Sequence, residues 1–279
     1  MFRISIFFIY SLIVLGCSSN SPVSPNPTPG EDVKIFRPVV VDSFPHDINA
    51  FTQGLLLKDG FLYESTGRYG SSTLRKVNLA DGSVINSKSV SANFFAEGLA
   101  EMNGRLVQLT WQSQRAFVYD LATFDSLDTI TYSGEGWGLT TDSMQYIMSN
   151  GSSTIVFRNE NFDITRQIDV TLDGSPVSRL NELEFINGSI YANVWQRDYI
   201  VQIRPSDGKV TAIIECENLV SLSGTSGNSA VLNGIAYNPA SNRYYLTGKL
   251  WPTLYEVELQ EVESSIPNRQ KNFASALQH

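Results

Sequence analysis

A repeat constrains this chain more than any other feature. Gly-Leu pairs open similar units at Gly54-Leu55, Gly98-Leu99 and Gly138-Leu139, and Glu182-Leu183 and Gly234-Ile235 fill the same slot later, at spacings of 44, 40, 44 and 52 residues. Each unit reads as short strands rich in Val, Ile, Tyr, Phe and Thr, separated by tight-turn pairs such as Asp59-Gly60, Asp81-Gly82, Asn103-Gly104 and Asn187-Gly188. The fourth unit shows the pattern well: ELEFI, Asn-Gly, SIYANVW, then YIVQIRP, Ser-Asp-Gly and KVTAIIE. No long segment carries a 3.6-residue apolar period. Self-similarity at this spacing, with several strands per unit, points to an all-β fold of propeller blades. Five units predict a five-bladed β-propeller; a six-bladed ring with one undetected unit is the alternative.

The last unit has strands near 234–237, 243–248 and 253–259 and lacks a fourth, while PVVVDSF at 38–44 is a strand without a unit. The N-terminal strand is therefore expected to complete the last blade and close the ring, which removes exposed sheet edges.

In a propeller, the segment leading into the first strand of each blade and the segment leaving its second strand converge on one mouth of the channel. Here the lead-in segments are Phe51-Thr52-Gln53-Gly54, Phe95-Ala96-Glu97-Gly98, Glu135-Gly136-Trp137-Gly138, Leu180-Asn181-Glu182-Leu183 and Leu232-Asn233-Gly234-Ile235. The outgoing ones include Leu109-Thr110-Trp111, Met148-Ser149-Asn150, Asn193-Val194-Trp195 and Thr247-Gly248-Lys249. Three of the four tryptophans fall in these segments, together with Gln53, Glu97, Asn181 and Lys249. An aromatic pocket with a few convergent polar groups suits a small-ligand site. Packing motifs between blades are the competing explanation for any one of these aromatics.

Several chemistries are excluded or unsupported. The formal net charge of −8 without a basic cluster argues against nucleic-acid binding. The two histidines are His46 and the terminal His279, so a nucleophilic triad would depend on His46 alone, and neither CxxC nor HExxH supports a zinc site. Acid–base work must fall to carboxylates, Lys or Tyr, with Glu97, Glu135, Glu182 and Glu184 as candidates and Glu64 behind them. Beyond Cys17 the only cysteine is Cys216, in an apolar stretch, and it reads as a core thiol.

The motifs FTQGL, YESTGRYG, STLRKVNL, FAEGL, QLTW, FVYD, GEGWGL, PVSRLNELE, IYANVW, VLNGIAY and TGKLWP resemble the plant and bacterial type of glutaminyl-peptide cyclotransferase, over residues 36–260. The resemblance implies a five-bladed propeller, unrelated to the zinc-dependent animal enzymes of the same activity. It also implies conversion of N-terminal glutamine to pyroglutamate with release of ammonia, no required cofactor or metal, and peptide or protein substrates. The family's site residues map onto Phe51, Gln53, Phe95, Glu97, Trp111, Trp137, Asn181, Trp195 and Lys249. Glu97 is expected to carry the proton, with Lys249, Asn181 and Gln53 polarising the carboxamide and the five aromatics boxing the substrate. Ala96 replaces a Gly of the pattern. Asn150 stands in place of an Asp, which leaves open the structural calcium that some relatives hold in the channel. A non-enzymatic surface propeller binding peptide ends or sugars, and a lyase or hydrolase using Glu97 with another carboxylate, are the competing functions.

The chain opens with Arg3 and an apolar run over 4–15, too short to span a bilayer comfortably, followed by Leu15-Gly16-Cys17-Ser18. That ending resembles a bacterial lipobox. Residues 1–16 are expected to be a lipoprotein signal peptide, Cys17 the acylated mature N-terminus, 17–35 a Ser/Pro-rich disordered spacer, 36–260 the catalytic domain and 261–279 a polar tail. The protein is expected to be an exported bacterial monomer, periplasmic or at the cell surface, held to the membrane by lipid alone.

Overall fold

The computed structural model describes residues 33–262. The expected signal peptide, Cys17, all but the end of the spacer and the tail from residue 263 onward lie outside the described residues. The chain is built almost wholly of strands: β1 (Lys34–Pro45), β2 (Thr52–Lys58), β3 (Phe61–Thr66), β4 (Thr73–Asn78), β5 (Val84–Ser89), β6 (Ala96–Met102), β7 (Arg105–Thr110), β8 (Arg115–Asp120), β9 (Ser126–Thr131), β10 (Leu139–Thr141), β11 (Tyr146–Met148), β12 (Thr154–Arg158), β13 (Ile164–Asp169), β14 (Thr171–Leu172), β15 (Ser175–Pro176), β16 (Leu180–Ile186), β17 (Ser189–Val194), β18 (Tyr199–Ile203), β19 (Val210–Glu215), β20 (Leu232–Asn238), β21 (Arg243–Gly248) and β22 (Thr253–Glu261). Among the described residues one short helix, α1 (Glu217–Ser223), lies between β19 and β20 and accounts, with the loop after it, for the longest repeat spacing.

β2–β5, β6–β9 and β10–β13 form three four-stranded antiparallel sheets in sequence order. The hairpin residues have the expected conformations: Asp59 and Gly60 take φ of 52° and 79°, the doubly left-handed turn that matches strand twist. The remaining long strands form one eight-stranded sheet in the order β16-β17-β18-β19-β1-β22-β21-β20. β1 runs antiparallel to β22 from Phe36–Glu261 to Pro45–Thr253. Its first residues, Lys34–Phe36, also run parallel to Ala212–Ile214 of β19. The N-terminal strand is thus longer than the predicted 38–44 and ties two four-stranded groups together.

The first strands make a closed cycle of neighbours: β2 beside β6, β6 beside β10, β10 beside β16, β16 beside β20, and β20 beside β2. This cycle explains the repeat. Leu55, Leu99, Leu139, Leu183 and Ile235, the second members of the repeated pairs, are each at most 1% exposed. Burying one such side chain is worth about 1.5–3 kcal/mol. Gly54, Gly98 and Gly138 let neighbouring backbones touch. A Cβ on Gly54 would lie 2.5 Å from Leu99 N, and one on Gly98 would collide with Leu139 N. The fourth unit has Glu182 in the glycine slot and uses it differently: its carboxyl accepts Ile235 N–H at 2.8 Å and Leu55 N–H at 3.4 Å, tying β16 to β20 and β2. Cys216, at the start of α1, is fully buried, and burial pushes its thiol pKa far up, as expected of an inert core thiol.

Candidate active site

Four of the five lead-in segments end in bulges. Strand register shifts between Thr52 and Gly54 in β2, Ala96 and Leu99 in β6, Leu180 and Leu183 in β16, and Leu232 and Ile235 in β20. A bulge takes a residue out of the ladder and re-aims its side chain. The residues so released include Gln53, Glu97, Asn181 and Asn233. Three of these four, with Lys249 from the segment after β21, meet Phe51, Phe95, Trp111, Trp137 and Trp195 around one cavity of about 310 Å³. All nine side chains singled out in the sequence therefore line a single space.

The aromatic wall is ordered by edge-to-face contacts, the arrangement that ring quadrupoles favour. Phe51 meets Phe95 at 6.1 Å, Phe95 meets Trp111 at 5.8 Å, and Trp137 meets Trp195 at 5.7 Å between centroids. Tyr69 adds a rim ring 5.5 Å from Phe95, and Arg68 stacks over Phe51 at 5.0 Å. The sequence reading did not single out Arg68 or Tyr69, although both lie in its YESTGRYG motif.

On the polar side, Gln53 Nε2 donates to Glu97 Oε1 at 2.9 Å. Asn233 Nδ2 donates to Thr52 O at 2.8 Å and to Gln53 Oε1 at 3.3 Å, which fixes the orientation of the Gln53 amide. Ser65 Oγ donates to the Glu97 carbonyl at 2.5 Å and anchors its backbone from the neighbouring sheet. Glu97 is 5% exposed, and burial drives its pKa well above the ordinary carboxylate value. The Lys249 ammonium opposes that shift and Glu135 reinforces it. Lys249 sits 4.9 Å from the Phe51 centroid, and burial lowers its pKa to about 8 against the pull of Glu97. Asn181 receives Ser149 Oγ on its backbone carbonyl at 2.7 Å, whereas its buried Oδ1 has no protein partner. Ala96, the departure from the family pattern, is fully buried.

The other candidate carboxylates have different surroundings. Glu64 accepts from Thr52 Oγ1 at 2.7 Å and is paired with His46 at 3.0 Å and with Arg75. Burial alone would raise its pKa, but the two cations hold it at about 2. His46 has Trp251 O on its other ring nitrogen at 2.8 Å, so it is fully engaged and offers no base to a nucleophile. Glu182 is the backbone tie between first strands. Glu184, raised to about 8 by burial, lines a second, polar pocket with Lys58, Glu101 and Thr140. Glu135 receives the indole N–H groups of Trp111 and Trp137. Glu97 is thus the carboxylate on the cavity wall. Asn150, where the resemblance raised calcium, accepts from Ser152 N at 3.1 Å in a local turn. Among the described residues no three His, Cys, Asp or Glu side chains gather as metal ligands.

The chain is similar to proteins of known activity. Residues 9–259 match the family described as glutamine cyclotransferase. Over 234 residues the chain is 39% identical to glutaminyl-peptide cyclotransferase of Arabidopsis thaliana, covering 82% of this chain and 73% of the relative. The crystal structure of Myxococcus xanthus glutaminyl cyclase superposes with a TM-score of 0.79 at 37% identity, covering 83% of this chain and all of that one. The chain belongs to the glutamine cyclotransferase family.

Proposed function

We propose that this protein is a glutaminyl-peptide cyclotransferase whose chemistry is carried by the nine-residue cavity, with Glu97 as its proton carrier. The carrying observation is that one buried carboxylate of raised pKa stands on the wall of an aromatic cavity, faced by a buried lysine of lowered pKa.

The substrate enters with its N-terminal Gln folded back. Its neutral α-amine attacks the side-chain carboxamide carbon, a C–N bond forms and the five-membered ring closes. Glu97 takes a proton from the attacking nitrogen and returns it to the leaving nitrogen, and the old C–N bond breaks to release ammonia. The reaction is redox-neutral and internally balanced, so it needs no oxidant, reductant or second substrate. Because it is intramolecular, holding the folded conformer supplies much of the rate, on the order of 7–11 kcal/mol in well-oriented cases. The five aromatics impose that conformer and exclude water. Lys249 and Gln53 stabilise the developing oxyanion. The unpartnered Asn181 Oδ1 is suited to accept an N–H of the substrate. A raised Glu97 pKa brings it toward that of an α-amine, about 7.7–8, where proton exchange is efficient.

The scaffold reading is a five-bladed propeller closed by the N-terminal strand. The cycle of five first strands and the pairing of β1 with β22 support it. The Leu-Gly-Cys-Ser ending supports an exported, lipid-anchored bacterial protein; Cys17→Ser should free it from membranes or block its processing, and unchanged membrane attachment would refute the anchor. The activity itself is tested by ammonia release from Gln-initiated peptides. Binding of such peptides without ammonia release would favour a surface-binding propeller instead.

A further inference from the structure

We propose that Glu135 is a positioning residue of this site: its single carboxylate clamps the two central indoles and sets the width of the slot that folds the substrate. The role in turnover rests on the cyclase reading above. Oε2 accepts Trp111 Nε1 at 2.8 Å and Trp137 Nε1 at 3.0 Å, and Oε1 accepts Gln112 Nε2 at 2.9 Å. Trp111 leaves β7 and continues the Phe51–Phe95 wall, whereas Trp137 leads into β10 and continues to Trp195. Glu135 therefore joins two aromatic walls that come from different sheets.

The surrounding backbone is built to hold the carboxylate there. Gly136 N donates to Trp111 O at 2.9 Å, and a Cβ on Gly136 would collide with the Tyr132 hydroxyl. Glu135 remains an acceptor because its three N–H donors outweigh partial burial and keep its pKa below the ordinary value. Its charge also reaches Glu97. The titratable groups facing Glu97 are Lys249, Glu135 and the phenol of Tyr132, so removing the Glu135 charge leaves Lys249 less opposed.

Two variants separate the clamp from the charge. Glu135→Ala leaves both indole N–H groups without their acceptor. Misplacement of a positioning wall by about 1 Å can cost 10²-fold in rate, so kcat/KM for a Gln-initiated peptide should fall by about that factor, with KM raised. Its tryptophan emission should shift relative to wild type even without substrate. Glu135→Gln keeps an oxygen for both indoles: KM and emission should return close to wild type, while the acid limb of kcat/KM moves to lower pH. Should Glu135→Ala fail to fold, Glu135→Asp, whose carboxylate stops one methylene short, takes its place. Wild-type KM and wild-type emission in the truncated variant would overturn the clamp. If the wild-type protein released no ammonia, the cyclase reading would fall, while the emission comparison would still decide whether Glu135 holds the indoles.

Discussion

Glu97→Gln isolates the proton carrier because the structure leaves little else for the substitution to change. Glu97 Oε1 is an acceptor for Gln53 Nε2, and a glutamine oxygen at that position accepts the same bond. The backbone stays anchored through Ser65. Glutamine fills the space of the glutamate it replaces and vacates no place for a substitute base, so the rate loss should approach the full value of a general acid–base group, about 10²–10⁴. At 1.36 kcal/mol per decade this is a barrier increase of about 3–5 kcal/mol. The aromatic walls are untouched, so KM should stay near wild type. Stability should not fall, since a neutral amide is easier to bury than a carboxylate held against desolvation. A second signature follows from Lys249: its pKa of about 8 is held up by Glu97, so the alkaline limb of the pH profile should move to lower pH in the variant. The assay is steady-state ammonia release from Gln-initiated peptides across pH, with thermal denaturation to confirm folding. A folded Glu97→Gln protein turning over at near wild-type rate would sink the assignment.

Trp195→Ala opens one wall of the box and removes the partner of Trp137, so KM should rise more than kcat falls; an unchanged KM counts against the aromatic box. Glu64→Gln removes the buried counter-charge shared by His46 and Arg75 and leaves Arg75 with Asp47 alone; breaking a buried pair typically removes about 3–5 kcal/mol of stability. Because the folded pKa of Glu64 is depressed from 4.5 to about 2, that stabilisation is present above pH 4.5 and lost as pH falls toward 2. The melting-temperature gap between wild type and variant should close over that window, and a gap independent of pH would refute the linkage. Turnover should survive zinc chelators, since the proposed chemistry uses no metal; loss on chelation with recovery specifically on zinc would contradict it.

Much of the site is legible in the sequence because the fold repeats. Each unit must bring its first strand against its neighbour's, and four of the five meet this with a glycine followed by a buried aliphatic residue, the fourth unit using Glu182 before Leu183. That packing marks the same structural position in the chain again and again, as at Gly54-Leu55 and Gly98-Leu99. Once those positions are aligned, residues just before them share one end of the fold, so the aromatics, Gln53, Glu97, Asn181 and Lys249 can be grouped without coordinates. The scarcity of histidine likewise excludes whole classes of chemistry by count alone. Helix α1 escapes this reading because seven residues are too few to display a helical period.

Strand pattern and residue type alone do not rank the carboxylates; the family resemblance is what singles out Glu97. Glu64, Glu97, Glu135, Glu182 and Glu184 all sit near strand ends and look equivalent in one dimension. Their partners come from elsewhere in the chain: His46 and Arg75 for Glu64, two indoles for Glu135, the amides of Leu55 and Ile235 for Glu182, Gln53 and Lys249 for Glu97. A carboxylate's protonation and availability depend on how much water it loses and on which charges and donors replace that water. Those are properties of the packed sheets, so only the tertiary structure separates an ion-paired anchor, an indole clamp and a backbone tie from the carboxylate left facing the cavity.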